Sequence, residues 1–191
     1  MKKYIFLFSS LVIMSLTSCS SDNPEIVNEE ELITTLKVTL TPQGGGSVVT
    51  LQLQDLDGDG PNAPVTTVSG PLLANTTYTG VTQVLNETES PAEDITLEVE
   101  EEGDEHQFFY TFSNSIATIN YTDVDKNGRP IGITFNLTTT TAGIGNLTVT
   151  LRHEPNKTAS DFLHNSNVSS GKGFPVTSIA QAPINASVKL N

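Results

Sequence analysis

Two short acidic stretches have residue types and a spacing that could coordinate a hard cation. Residues 55–60 and 123–128 both match the pattern D-x-[DN]-x-[DN]-G. Calcium takes about six to eight oxygen ligands, and alternating carboxylates before a glycine turn can supply several of them. Neither stretch is an EF-hand, because Thr66 and Thr134 stand where the bidentate glutamate would be. The predicted calcium ligands are Asp55, Asp57, Asp59 and Asn62 in the first stretch and Asp123, Asp125 and Asn127 in the second.

Polar turn chemistry is the alternative for both stretches. Asn127-Gly128 lies between two predicted strands and is a hairpin signal by itself, so a simple turn is favoured for the second stretch. The first stretch has three aspartates followed by Asn62, which is more negative charge than a turn requires. For the first stretch, the sequence therefore leaves calcium and a turn equally open.

Two histidines form the second candidate site. His106 is in phase with Phe108 and Tyr110, and His153 is in phase with Val149 and Leu151, so each histidine belongs to the apolar face of its strand. Both stand at a strand end, where the core meets solvent. Two imidazoles with neighbouring carboxylates suit zinc or another transition metal. The alternative is a pair of histidines that cap the edge of the core and bond to the backbone. The predicted ligands are His106, His153, Glu105 and Glu154.

The position of these histidines depends on the strands that carry them. Four strands are predicted at about 106–113, 116–122, 131–140 and 145–153. Short connections favour an antiparallel meander, in which each strand returns to the end where the previous one began. His106, the loop at Asp123 and His153 would then lie at one end of the domain.

The remaining pattern predicts an all-β domain. Residues 32–54 alternate like a hairpin, strands follow near 65–69 and 77–85, and one late strand is expected near 184–190 or 174–179. A short crossover helix is predicted at about 91–102, because Ser90-Pro91-Ala92-Glu93 fits a capping box and consecutive glutamates favour helix. The rival interpretation of that segment is a strand. Together the pattern indicates an immunoglobulin-like antiparallel β-sandwich of about eight or nine strands with this one short helix.

The first residues have the pattern of an export signal. Lys2 and Lys3 precede a short apolar run, and Leu16-Thr17-Ser18-Cys19 resembles a lipobox with the only cysteine of the chain. The predicted organisation is a lipoprotein signal peptide at 1–18, an acylated Cys19 with a flexible acidic tether at 19–31, and one β-sandwich domain at 32–191. Within that domain, 155–191 is a poorly defined tail. The protein is thus expected to be anchored by lipid to the outer membrane, facing the periplasm or the cell surface.

The charge balance limits the classes of partner. The formal net charge is −13, and ten of the 19 residues from Glu87 to Glu105 are acidic. Such a run is most often a solvated face, but it also concentrates cations and repels nucleic acid. Nucleic acid is therefore not expected as a partner. No nucleophile elbow, zinc-protease helix or phosphate-binding loop is present, so no enzymatic activity is predicted.

Several stretches resemble a family of small flavobacterial (Bacteroidota) surface lipoproteins. They are LQDLDGDGPNAPV (53–65), LANTTYTGVTQVLNETESPAEDI (73–95), EEGDEHQFFY (101–110) and LTVTLRHEPNK (147–157). Members are often labelled "type 1 periplasmic binding fold superfamily protein" and occur beside TonB-dependent receptors. The final 34 residues depart from the usual ending of the family. The resemblance implies a surface lipoprotein that captures a metal ion or small ligand as an accessory to an outer-membrane TonB-dependent transporter. The alternative is a structural or adhesion module of immunoglobulin-like type whose loops calcium stiffens.

Overall fold

The computed structural model of the protein describes residues 32–57, 60–158, 176–179 and 186–190. The predicted signal peptide, Cys19 and the tether lie outside these residues, as do Asp59 and most of the predicted tail. In chain order the elements are β1 (Thr35–Pro42), β2 (Val49–Gln54), β3 (Val65–Val68), β4 (Thr77–Asn86), β5 (Glu93–Asp94), α1 (Thr96–Glu101), β6 (His106–Phe112), β7 (Ala117–Tyr121), β8 (Thr134–Thr139), β9 (Gly143–His153), β10 (Val176–Ile179) and β11 (Ala186–Leu190). No helix among the described residues is long and apolar enough to cross a membrane.

The strands form two sheets. The first has the order β3-β2-β1-β4-β8-β7, with β5 paired to the end of β4. In the second sheet β9 pairs with β6, β10 and β11, and only the pairing of β11 with β9 is parallel. The predicted all-β sandwich with one short helix is confirmed.

Alternation of apolar and polar residues explains how the two sheets meet. Side chains with period two point to one face of a strand, and in β1 Leu36, Val38 and Leu40 are all buried. Phe108 of β6 and Val149 of β9 belong to the same core from the opposite sheet. The hydroxyl of Tyr110 in β6 crosses between the layers, donating to the carbonyl oxygen of Gly132 at 2.6 Å and lying 2.5 Å from the hydroxyl of Thr82 in β4. One shared core and this polar contact hold the sheets together.

The predicted meander is wrong in its pairings. β6 pairs with β9 instead of β7, and β8 pairs with β4 and β7 instead of β9. The turns at 113–116 and 140–142 therefore step from one sheet to the other. A sandwich needs apolar faces on both layers, and the short connections carry the chain across the core as readily as along a sheet. The alternation of strand direction, however, is retained.

The helix is shorter than predicted. It begins at Thr96, not at Pro91, because Glu93 and Asp94 pair with Asn86 and Leu85 at the end of β4. The Thr96 hydroxyl then accepts the backbone N–H of Val84, which ties the first turn of the helix to that strand. Strand pairing of the segment before the helix thus replaces the predicted cap at Ser90. Both positions proposed for a late strand are strands, β10 and β11.

Charge is segregated along the strand direction. β4, β7 and β9 finish at one end of the domain, and β6 begins there. Every aspartate and glutamate that the structure describes lies in the loops of this end, in α1 or in the adjoining strand termini, so we call it the charged end. The opposite, uncharged end consists of the turns at residues 43–48, 69–76, 113–116 and 140–142. None of these turns contains a charged residue or a histidine. The candidate ligands that the structure describes therefore all belong to one end.

Candidate functional site

The two histidines are neighbours across a strand pair. His106 opens β6 and His153 closes β9, and the two residues are directly opposite each other in the antiparallel register. Their rings are stacked, with centroids 4.9 Å apart and an interplanar angle of 25°. The predicted proximity is confirmed, because it required only that strand directions alternate and not that consecutive strands pair. The predicted ligand roles stay a prediction.

Glu105, His153 and Glu154 form a group that could hold a metal ion. Each offers one donor atom, and these atoms all lie within 4.8 Å of one another. The His153 ring is partly exposed, and both glutamates are exposed. The backbone fixes the group, since the N–H of Glu154 donates to the carbonyl oxygen of Glu105 at 2.6 Å. The main chains of both glutamates are thus held beside His153, while their exposed side chains can move.

The backbone of Glu154 is in the left-handed region, with φ of +48°. Residues other than glycine adopt this conformation infrequently, because it costs about 1–3 kcal/mol and persists only where the surroundings enforce it. Here the left-handed conformation ends β9 and places Glu154 next to His153, so one of the three proposed ligands has a strained backbone. A glycine would fit this conformation better but would bring no carboxylate.

His106 has a different environment from His153. It is 1% exposed, and its Nδ1 atom lies 3.4 Å from the carbonyl oxygen of Glu102 and 3.7 Å from the carboxylate of the same residue. It is not part of the convergent group around Glu105. This placement agrees with the alternative that the sequence offered, a histidine at the core edge facing the backbone. By stacking on His153, it restricts the orientation of the partly exposed imidazole.

The donor set suits a borderline transition metal. One imidazole nitrogen and two carboxylates occur together as zinc ligands, and three protein ligands leave a position open for water or another molecule. Donors bound to one zinc ion at about 2.0–2.2 Å lie closer together than these do, so the two exposed glutamates must close on the imidazole when an ion binds. Exposed glutamate side chains can do this without disturbing the core.

The carboxylates of the second acidic loop have another task. Asp123 accepts the backbone N–H groups of Gly132 and Thr134 at 2.8 and 2.9 Å. Asp125 accepts those of Asn127 and Arg129 at 2.8 and 2.9 Å. Such bonds use the carboxylate oxygens that a calcium ion would need. The structure therefore supports the turn, which was the favoured interpretation of this stretch.

A lysine ammonium is bound at the base of the same loop. Nζ of Lys157 donates to the carboxylate of Asp125 at 3.1 Å, to the carbonyl oxygen of Pro130 at 2.9 Å and to that of Gly103. Only 6% of the Lys157 side chain and 1% of that of Asp125 are exposed. The chain thus supplies its own cation where the sequence suggested a metal. The sequence prediction missed Lys157 because it follows the last periodic strand and nothing nearby in the sequence marks its partners.

The pKa values of this buried pair are both perturbed. Burial lowers the pKa of Lys157, and the neighbouring Asp125 only partly opposes this effect. For Asp125, burial is the largest single influence and would raise the pKa. The N–H groups of Arg129 and Asn127, together with the Lys157 ammonium, outweigh it and hold the pKa of Asp125 below its ordinary value.

The first acidic loop is described only in part. The carboxylate of Asp57 accepts the side-chain amide of Asn62 at 2.7 Å and the backbone N–H of Asn62 at 3.2 Å. Asp55 follows β2 and donates its backbone N–H to the carbonyl oxygen of Thr34. The structure thus brings together Asp57 and Asn62, while Asp59 lies outside the described residues. Calcium binding by this loop stays a prediction.

Comparisons of this chain with protein-family models, with curated proteins and with solved structures find no match. The resemblance to flavobacterial lipoproteins stays a prediction as well. The function of the site therefore has to be argued from its own geometry and charge.

Proposed function

We propose that this protein is a lipid-anchored binding protein of the outer membrane that captures a transition-metal ion such as zinc. The observation that carries the proposal is the convergence of Glu105, His153 and Glu154, whose donor atoms lie within 4.8 Å of one another. Three ligands with an open position bind an ion while leaving it accessible to a second protein. Such accessibility suits capture and transfer better than permanent structural binding.

The surroundings of the site support a cationic ligand. The carboxylates of the charged end attract cations over several ångströms, and this attraction raises the local concentration of cations at the site. The carbonyl oxygen of Glu102, the C-cap residue of α1, lies 3.4 Å from Nδ1 of His106 and adds partial negative charge there. A metal ion would therefore approach this end in preference to the uncharged one.

The anchor and the partner are proposed from the N-terminal sequence and from the resemblance. A cysteine acylated at position 19 would hold the domain at the membrane through residues 20–31. A TonB-dependent transporter in the same membrane is the proposed recipient of the ion. The structural alternative, a module with calcium-stiffened loops, now depends on the first acidic loop, because Lys157 already fastens the second.

Metal binding should be measurable on the purified protein. We expect zinc to raise the midpoint of thermal unfolding, because an ion at a hundred times its dissociation constant adds about 2.7 kcal/mol to the free energy of unfolding. Glu154→Gln keeps the size of the side chain but removes the carboxylate, and it should weaken zinc binding by about tenfold or more, equivalent to about 1.4 kcal/mol. Calorimetric titration with zinc measures the affinity directly.

Glu93→Gln is the matched control, because it removes one exposed carboxylate from β5 outside the ligand group. Equal zinc affinity of Glu154→Gln and the wild type would contradict the proposed site. A stabilising effect of calcium that zinc does not give, and that Asp57→Asn abolishes, would support the structural alternative instead.

Lipid attachment has its own test. Cys19→Ala should abolish labelling of the protein by an alkyne fatty acid in cells, because the thiol of Cys19 is the only one in the chain. Ser18→Ala serves as the control, since it preserves a small residue before the cysteine. Labelling of Cys19→Ala at the level of the wild type would exclude the lipoprotein interpretation.

A further inference from the structure

A cavity lies between β6 and β7, away from the proposed metal ligands. β6 belongs to the second sheet and β7 to the first, and within the described part of the chain each lacks a paired strand on the side that faces the other. The space between them has a volume of about 430 Å³, which is within the usual range of small-molecule sites. The cavity extends from Tyr121 to the turn that joins the two strands.

The lining of this cavity is uncharged. Its lining residues are four aromatic residues and several short residues with hydroxyl or amide groups from the turn and the strands, namely Phe109, Tyr110, Phe112, Tyr121, Ser113, Asn114, Ser115, Thr111 and Thr118. No carboxylate lines the cavity, although Asp123 follows Tyr121 by two residues at the charged end. A charged ligand would lose its hydration here without gaining an ion pair, so the cavity selects for a neutral molecule.

Backbone groups add further hydrogen-bonding capacity. In the pairing of β7 with β8, Thr140 donates to the carbonyl oxygen of Ile116 and Thr122 donates to that of Thr134. Because bonded and non-bonded positions alternate along an antiparallel pair, the N–H and C=O of Ala117 point away from β8. Ala117 lines the cavity, so these two groups are available to a ligand.

An added peptide strand is the obvious alternative occupant, but the segment at Ile131 already bonds to the edge of β6. The backbone N–H of Phe108, at the edge of β6, donates to the carbonyl oxygen of Ile131 at 2.7 Å. This bond uses an edge N–H of β6 that an added strand would need. The chain also closes one end of the cavity with Ser113, Asn114 and Ser115. A compact ligand fits this shape better than an extended one.

We propose that the cavity between β6 and β7 binds a neutral saccharide. A sugar ring presents an apolar C–H face that packs against aromatic rings such as that of Phe112, and hydroxyl groups around its edge that bond to amide and hydroxyl side chains. Ser113, Asn114, Ser115 and Thr118 are the exposed polar residues of the lining that could bond to those hydroxyls, and the Asn114 amide already donates to the carbonyl oxygen of Ile144. The site is independent of the proposed metal ligands.

Tetrasaccharides of glucose, xylose and mannose, a tetragalacturonate and a neutral Thr/Val tetrapeptide are the probes for this proposal. Calorimetric titration of the whole protein should show binding of at least one neutral tetrasaccharide at millimolar concentration and none of the acidic one. Tyrosine emission gives a second readout, because the chain has no tryptophan and Tyr110 and Tyr121 both line the cavity.

Thr118→Arg should weaken saccharide binding by about tenfold or more, because it fills the cavity with a long charged side chain. Asn120→Arg is the matched control, since Asn120 is exposed on the same strand but does not line the cavity. Thr118→Ala is the second variant, in case the arginine is not tolerated. Absence of binding by every neutral tetrasaccharide, preference for the tetragalacturonate or the peptide, or equal binding by the wild type and both Thr118 variants would overturn the proposal.

Discussion

Replacing Lys157 with methionine should lower the free energy of unfolding by about 3–5 kcal/mol, because the variant leaves Asp125 buried without its cation. Methionine keeps the apolar stem of the lysine and removes only the ammonium. Two carbonyl oxygens, of Gly103 and Pro130, lose their donor at the same time. Urea unfolding of the wild type and the variant, followed by circular dichroism, measures the difference.

Lys126→Met is the matched control. Lys126 also belongs to the charged end and also bonds to a carboxylate, that of Asp104 at 2.9 Å, but 71% of its side chain is exposed. Water can replace a hydrogen bond made by such an exposed ammonium group, so Lys126→Met should change the free energy of unfolding very little. Equal losses in the two variants would show that the effect comes from net charge and not from the buried ammonium.

Acid should reduce the difference between the wild type and Lys157→Met. The folded pKa of Asp125 in the wild type lies below its ordinary value, so its contribution is complete above about pH 4 and is lost as the pH falls through the folded pKa. In the variant the uncompensated carboxylate favours protonation instead, and acid relieves it. A difference that stayed constant down to pH 2 would contradict the assignment of the effect to Asp125.

Phe135→Ala should cost about 3–5 kcal/mol, the range found for removal of a fully buried aromatic ring. Phe135 is 0% exposed and stands opposite Gly80, where β8 pairs with β4. It also contacts the ring of Tyr110, with centroids 4.3 Å apart, so it packs against both layers. Thermal and urea unfolding give the loss of stability.

A substitution at Gly80 tests the same contact from the opposite strand. A Cβ added at Gly80 would lie 2.3 Å from the Phe135 ring, so Gly80→Ala should also destabilise the wild type. In the double variant the added methyl group enters space that the ring has left. The double variant should therefore lose less stability than the sum of the two single losses. Simple additivity would show that the ring moves aside freely and that the Gly80–Phe135 contact is not tight.

Much of the fold could be predicted from alternation alone. β1, β2 and β9 each have a run of apolar residues at period two, and burial of one face makes such runs strands wherever they pair. The proximity of His106 and His153 was predictable for a related reason. Their proximity depends on how many times the chain reverses its direction between β6 and β9, and the short connections between the strands determine that number.

Other features carry no local signal. Whether β6 pairs with β7 or with β9 depends on which sheet the turn at 113–116 leads into, and both choices bury the same apolar face. The ring of oxygens around Lys157 comes from residues 27 to 54 positions away, so no spacing could reveal it. The cavity between β6 and β7 likewise exists only because these neighbours in sequence belong to different sheets.

The separation of charge between the two ends gives the domain a permanent electric dipole along its strands. On a positively charged support, such as an anion-exchange resin or an amine-coated sensor, the molecules would attach by the end that carries α1 and the acidic loops. The turns at residues 43–48, 69–76 and 113–116 would then face the solution in every molecule. Immobilisation in this way would cover Glu105 and Glu154 and leave the cavity beside Thr118 open, so the same support that hides one proposed ligand site displays the other.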